Sequence, residues 1–161
     1  MAPACDVPPD PQDVSRQSPP TVNPAGAGPA PAPSKRSLRV LCIDDDEMVL
    51  QSMKDLLAYF GHRVGVASGG KNGIEAFCTA KQKNEPYDMV ITDMNMPEVS
   101  GYVVARMIKA ESPDTPVILL TGASNNIMDS GALSASVDTV VNKPPQIQEL
   151  SDLLLRMAKP A

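Results

Sequence analysis

With 161 residues, 42% of them hydrophobic, the chain is long enough for one domain of about 100–150 residues with its own core and some length to spare. Its net charge of −5 and the lack of any Lys/Arg cluster argue against a nucleic-acid binder, whose affinity rests on grouped cations. No run approaches the roughly 20 apolar residues of a membrane span, and the start lacks the basic-then-apolar order of a secretion signal.

Ten of the 17 prolines precede Ser37, mixed with Ala, Gly, Ser and Asp and almost no large apolar residue. Such a stretch cannot offset its own ordering entropy, so residues 1–36 are expected to form a disordered Pro/Ala-rich tail and residues 37–159 the folded domain. Pro8-Pro9-Asp10-Pro11 has the composition of a polyproline ligand but reads as part of that tail. Cys5, Cys42 and Cys78 include no CxxC pair, and the last two lie in apolar segments, as reduced thiols of a cytoplasmic protein do.

From Leu38 onward, apolar runs alternate with helical patterns. Leu38–Ile43 reads as a strand apolar enough to be buried on both faces, and Asp44-Asp45-Asp46-Glu47 follows it. Met48, Val49, Leu50, Met53, Leu56, Leu57 and Phe60 then recur at threes and fours, giving a helix that Gly61 ends. His62–Ala67 is a second, weaker strand interrupted by Gly65. Gly69-Gly70-Lys71-Asn72-Gly73 lacks the Walker spacing and reads as a loop and helix start. The spacing predicts a helix over Gly73–Lys83 with Ile74, Phe77 and Cys78 inward.

Tyr87–Ile91 begins a third strand that stops at Asp93, and Met96-Pro97 with Gly101 turns the chain. Val103, Val104, Met107 and Ile108 predict the next helix, Pro116–Thr121 a fourth strand, and Asn125–Ser134 a poorer helix holding Gly131. Thr139–Val141 is a fifth strand, and Ile147, Leu150, Leu153, Leu154 and Met157 line a last helix. The methionines sit mostly at core positions of this pattern and read as packing. Strands alternating with helices imply right-handed crossovers and a doubly wound parallel α/β sheet of five strands, covered by helices on both faces.

In such sheets chemistry is done at the carboxyl ends of the strands. There this chain places Asp44-Asp45, Asp93, Thr121 and Lys143. Each has a bland reading: the acidic triplet could cap and charge a helix, Asp93 could cap a turn, Thr121 could cap a helix, and Lys143 could be a surface cation. Together they mean more, because carboxylates gathered at one edge repel one another and call for a cation, and clustered hard oxygens suit Mg²⁺.

In order and spacing, Ile43-Asp44-Asp45-Asp46, Asp93-Met94-Asn95-Met96-Pro97 with Gly101, Leu120-Thr121-Gly122 and Asn142-Lys143-Pro144 resemble the motifs of response-regulator receiver domains of two-component signalling. The resemblance implies a flavodoxin-like sheet of order 2-1-3-4-5 and a phosphoryl-accepting Asp93. It further implies Mg²⁺ held by Asp45, Asp93 and the Asn95 backbone carbonyl with Asp44 assisting through water, and Thr121 and Lys143 contacting the phosphoryl oxygens. The donor would be the phosphohistidine of a sensor histidine kinase or histidine phosphotransfer protein, and an unknown downstream protein would read the altered surface. The Lys143-Pro144 bond would be cis.

Three positions depart from the family pattern: Val140 stands where an aromatic switch residue is common, Ser136 where Gly is frequent, and Pro145 where an aromatic often follows. All three bear on output. Because only Lys159-Pro160-Ala161 follow the last helix, the expectation is a stand-alone receiver acting through protein partners, with no nucleic acid and no membrane. An aspartate-nucleophile phosphohydrolase is the rival enzyme reading, but such enzymes carry a second Asp two residues after the nucleophile, where this chain has Asn95. A phosphorylation-independent interaction module is the other. His62 is the only histidine, which leaves no Ser-His triad, His-based metal site or internal phosphohistidine relay.

Overall fold

The computed structural model describes residues 36–122 and 135–158. Residues 1–35 of the expected tail, the expected helix over Asn125–Ser134 and the last three residues lie outside this range. Five strands and four helices are described: β1 (Arg39–Asp44), α1 (Glu47–Tyr59), β2 (Arg63–Ser68), α2 (Gly70–Gln82), β3 (Met89–Asp93), α3 (Gly101–Glu111), β4 (Val117–Thr121), β5 (Thr139–Asn142) and α4 (Ile147–Met157). All strand pairings are parallel and the order is β2-β1-β3-β4-β5, the expected topology.

Side chains alternate across each strand, so one strand feeds two cores. Val40, Cys42, Met89, Ile91, Ile118, Leu120 and Val141 face α1 and α4. Leu41, Ile43, Val90, Val117 and Leu119 face α2 and α3. Burial on both sides is why β1, β3 and β4 are nearly continuous apolar runs. β2 lies at the sheet edge and exposes Arg63, Val66 and Ser68.

The helical faces differ from the expected ones in detail. In α1 the inward residues are Leu50, Met53 and Leu57, while Met48 is 76% exposed. The helix closes at Phe60 and Gly61 takes φ +87°, the left-handed turn expected there. α2 begins at Gly70, three residues before the predicted start, and buries Gly70, Gly73, Phe77 and Ala80. Ile74 and Cys78 are only half-buried. α3 buries Gly101, Val104, Ala105 and Ile108, leaving Val103 and Met107 exposed. α4 buries Leu150, Leu153 and Leu154, with Ile147 exposed. In α2 and α3 the cause is common: small residues let the helix lie close to the sheet, and a stripe that includes Gly and Ala is invisible to a count of large apolar side chains.

Candidate functional site

Parallel pairing brings the carboxyl ends of β1, β3, β4 and β5 to one edge, and the expected polar groups meet there. Asp44 ends β1 and Asp93 ends β3; both are almost fully buried, at 3% and 4% exposure. Asp45, one residue past β1, is exposed. One carboxylate oxygen from each of Asp44, Asp45 and Asp93 lies within 4.8 Å of the others. Lys143, just past β5, reaches in with Nζ 2.7 Å from Asp44 Oδ2 and 2.9 Å from Asp93 Oδ1.

The acidic triplet divides between its two readings. Asp46 is the helix cap: its carboxylate accepts the Met48 N–H at 2.9 Å. Its own backbone N–H donates to Asp44 Oδ1 at 2.9 Å, which fixes the Asp44 carboxylate while Oδ2 faces Lys143. This orienting contact could not be read from residue types, because a side chain is held here by a backbone group two positions away.

One ammonium faces two buried carboxylates, and the charges do not balance. Burial raises the Asp93 pKa above its ordinary value; the hydrogen bond and charge of Lys143 oppose this, the Asp44 charge adds to it, and the Asn95 backbone N–H, donating to Asp93, lowers it. Burial disfavours the Lys143 ammonium as well, yet hydrogen bonds to Asp44 and Asp93 outweigh that loss and hold its pKa up. Burial opposes the charged form of both groups; it prevails at Asp93 and is outweighed at Lys143, which has two carboxylate partners. The donor set is all hard oxygen and electron-rich, so its chemistry fits a Mg²⁺ ion.

Thr121 closes β4 with its side chain buried, and its carbonyl accepts the Lys143 N–H at 2.8 Å. Asn95 is exposed in the loop after β3. That loop is held by Met94 N–H to the Leu120 carbonyl at 2.8 Å and Gly101 N–H to the Met94 carbonyl at 3.0 Å. Any Cβ on Gly101 would lie 2.1 Å from the Asp93 carbonyl oxygen, so only glycine lets α3 start this close to β3. The Lys143-Pro144 bond is cis, as expected. Among the described residues no helix is long and apolar enough to cross a membrane.

Residues 40–155 match the response regulator receiver domain family. A response regulator receiver domain protein from Clostridium thermocellum is similar in structure, with TM-score 0.66 and 33% identity over 75% of this chain and 94% of that one. The response regulator TrrA from Thermotoga maritima, solved in complex with Mg(2+)-BeF, gives 0.63 and 29% over 74% of this chain and 98% of that one. Among curated proteins, the transcriptional regulatory protein DltR of Streptococcus agalactiae is 29% identical over 70% of this chain and 48% of its own length. Hybrid signal transduction histidine kinase G of Dictyostelium discoideum is 30% identical over 76% of this chain and 4% of its own. The chain thus spans about half the length of the first regulator and a small part of the kinase. With a family match over most of the domain and the expected strand order, the chain belongs to the response regulator receiver domains, the signalling domains of two-component systems.

Proposed function

We propose that Asp93 accepts a phosphoryl group from a phosphohistidine carried by a sensor histidine kinase or a histidine phosphotransfer protein. A carboxylate oxygen of Asp93 forms the new O–P bond as the N–P bond breaks, and the imidazole leaves with the bonding pair and takes up a proton. The Lys143 ammonium, already 2.9 Å from Asp93 Oδ1, is the cation that would pair with the added charge. The Thr121 hydroxyl would donate to a second phosphoryl oxygen. Mg²⁺, held by Asp45, Asp93 and the Asn95 carbonyl with Asp44 in support, would neutralise the remaining oxygens when bound.

The observation that carries this reading is the excess of carboxylate over ammonium at the strand ends, two buried aspartates against one lysine. The relative solved with Mg(2+)-BeF and the kinase relative support it. A groove of about 440 Å³ beside the site, lined by Met48, Val49, Met53, Leu56, Pro144 and Pro145, offers the phosphodonor an apolar contact next to Lys143. Receiver domains are signalling domains, and any chemistry would be confined to gain and loss of this chain's own phosphoryl group. A cytoplasmic setting belongs to the proposal and is supported by the free thiols of Cys42 and Cys78.

Labelling with acetyl phosphate and Mg²⁺ tests the reading. Intact mass should rise by one phosphoryl group, and should not rise in Asp93→Asn. Many phosphomonoesters hydrolysed per chain would point to the phosphohydrolase, and no label under any donor would point to the phosphorylation-independent module.

A further inference from the structure

Two consecutive glycines at the start of α2 lie between the strand end that carries Asp44 and the loop that follows Asp93. Gly69 has φ +92° and ψ 158°, a region essentially closed to side-chain-bearing residues. That conformation lets its N–H donate to the Asp44 carbonyl oxygen at 3.0 Å. Gly70 is buried, and a Cβ there would lie 2.6 Å from the Val99 carbonyl oxygen and 2.9 Å from both Val99 Cβ and Cγ1. The nearest obstruction is backbone, which cannot rotate away as a side-chain tip can. Val99 belongs to the segment from Asp93 to Gly101 that includes Asn95, and its N–H donates to the Pro97 carbonyl at 2.7 Å.

We infer that Gly70 is a positioning residue for the site: by allowing α2 to seat against Val99, it fixes the loop carrying Asn95 relative to Asp44 and Asp93. The inference rests on the phosphoacceptor reading of that site. Its physical basis is that outer contacts set how well a ligand set fits its ion, even when they touch no ligand themselves. Gly65 supplies the comparison. A Cβ at Gly65 would also clash, but with the Tyr87 hydroxyl at 2.3 Å, the far end of a side chain, and Gly65 lies in mid-strand opposite Leu41 rather than at the strand ends.

The test is Mg²⁺ affinity by calorimetry, alongside urea stability, for the full chain and for Gly70→Ala and Gly65→Ala. Gly70→Ala should weaken Mg²⁺ binding by about tenfold, while Gly65→Ala loses stability with affinity near that of the unaltered chain. A loss in Gly70→Ala no larger than in Gly65→Ala would overturn the inference. If Gly70→Ala fails to fold, Val99→Ala trims Cγ1 from the packing against Gly70 while leaving the carbonyl and Cβ in place: weakened binding supports the clamp, and unchanged binding overturns it. If the unaltered chain takes neither Mg²⁺ nor a phosphoryl group, the proposed function falls. The clamp is then decided separately by the amide resonances of Met94–Ser100 without metal, which must move in Gly70→Ala and stay in place in Gly65→Ala.

Discussion

At the scale of single residues, Asp93 and Lys143 carry opposite consequences for stability. Because burial raises the Asp93 pKa, the folded chain binds that proton more readily than the unfolded one, so folding is favoured at low pH and the advantage is lost as pH rises past the ordinary 3.8 toward the folded value. At neutral pH without metal, ionised Asp93 is therefore a net cost, and Asp93→Asn should stabilise the chain by about 1 kcal/mol in urea unfolding. Lys143 has a raised pKa, so its contribution is fully present at neutral pH and lost only at strongly alkaline pH. Lys143→Met strands two buried carboxylates and should cost about 2 kcal/mol, less than a fully buried pair because the side chain is 24% exposed. Millimolar Mg²⁺ should restore part of that loss, and no recovery would argue against a cation site at these carboxylates. Asp44, Asp45, Asp93, Thr121 and Lys143 were legible in sequence, since each stands at or just past the end of an apolar run, whereas Asn95 came only from the family resemblance. That Asp46 would cap α1 while its N–H fixed Asp44 was not, because it depends on the turn between them.

Among the elements, α3 shows best how a helical pattern can mislead. Val103, Val104, Met107 and Ile108 suggested one face, yet the buried stripe is Gly101, Val104, Ala105 and Ile108. The two faces share Val104 and Ile108 and differ by a small rotation about the axis. What decides it is Gly101, whose missing side chain lets the first turn of α3 touch the Asp93 carbonyl and turns Ala105 inward. Two substitutions separate the alternatives. Ala105→Leu should overpack the core and cost about 1–3 kcal/mol, whereas Met107→Ala, at 47% exposure, should change the stability read from urea unfolding by no more than about 0.5 kcal/mol. The reverse ranking would restore the face suggested by the large apolar residues.

On the scale of the whole molecule, the one histidine fastens the start of the sheet. His62 is buried, and its Nδ1 accepts the Leu38 N–H at 3.2 Å, which requires the neutral ring. Burial lowers its pKa below the ordinary 6.5, so the unfolded chain binds this proton first. Stability is then complete above about pH 6.5 and declines as pH falls below it toward the folded value. The urea midpoint should drop between pH 7.5 and 5.5, and His62→Gln should flatten that part of the profile. An equal drop in the variant would assign it to other groups. The sequence by itself determined the alternation of elements, the parallel sheet and which polar residues close its strands, because hydrophobic period and strand length are local properties that survive tertiary packing. Tertiary structure alone decided which Gly and Ala positions complete the buried faces of α2 and α3, how one ammonium is shared between Asp44 and Asp93, and where backbone approaches backbone at Gly70 and Gly101. Those depend on distances between segments remote in the chain. Asp93 was therefore readable as a strand-end carboxylate that, with its neighbours, calls for a cation, but its near-complete burial and its sharing of Lys143 with Asp44 were not.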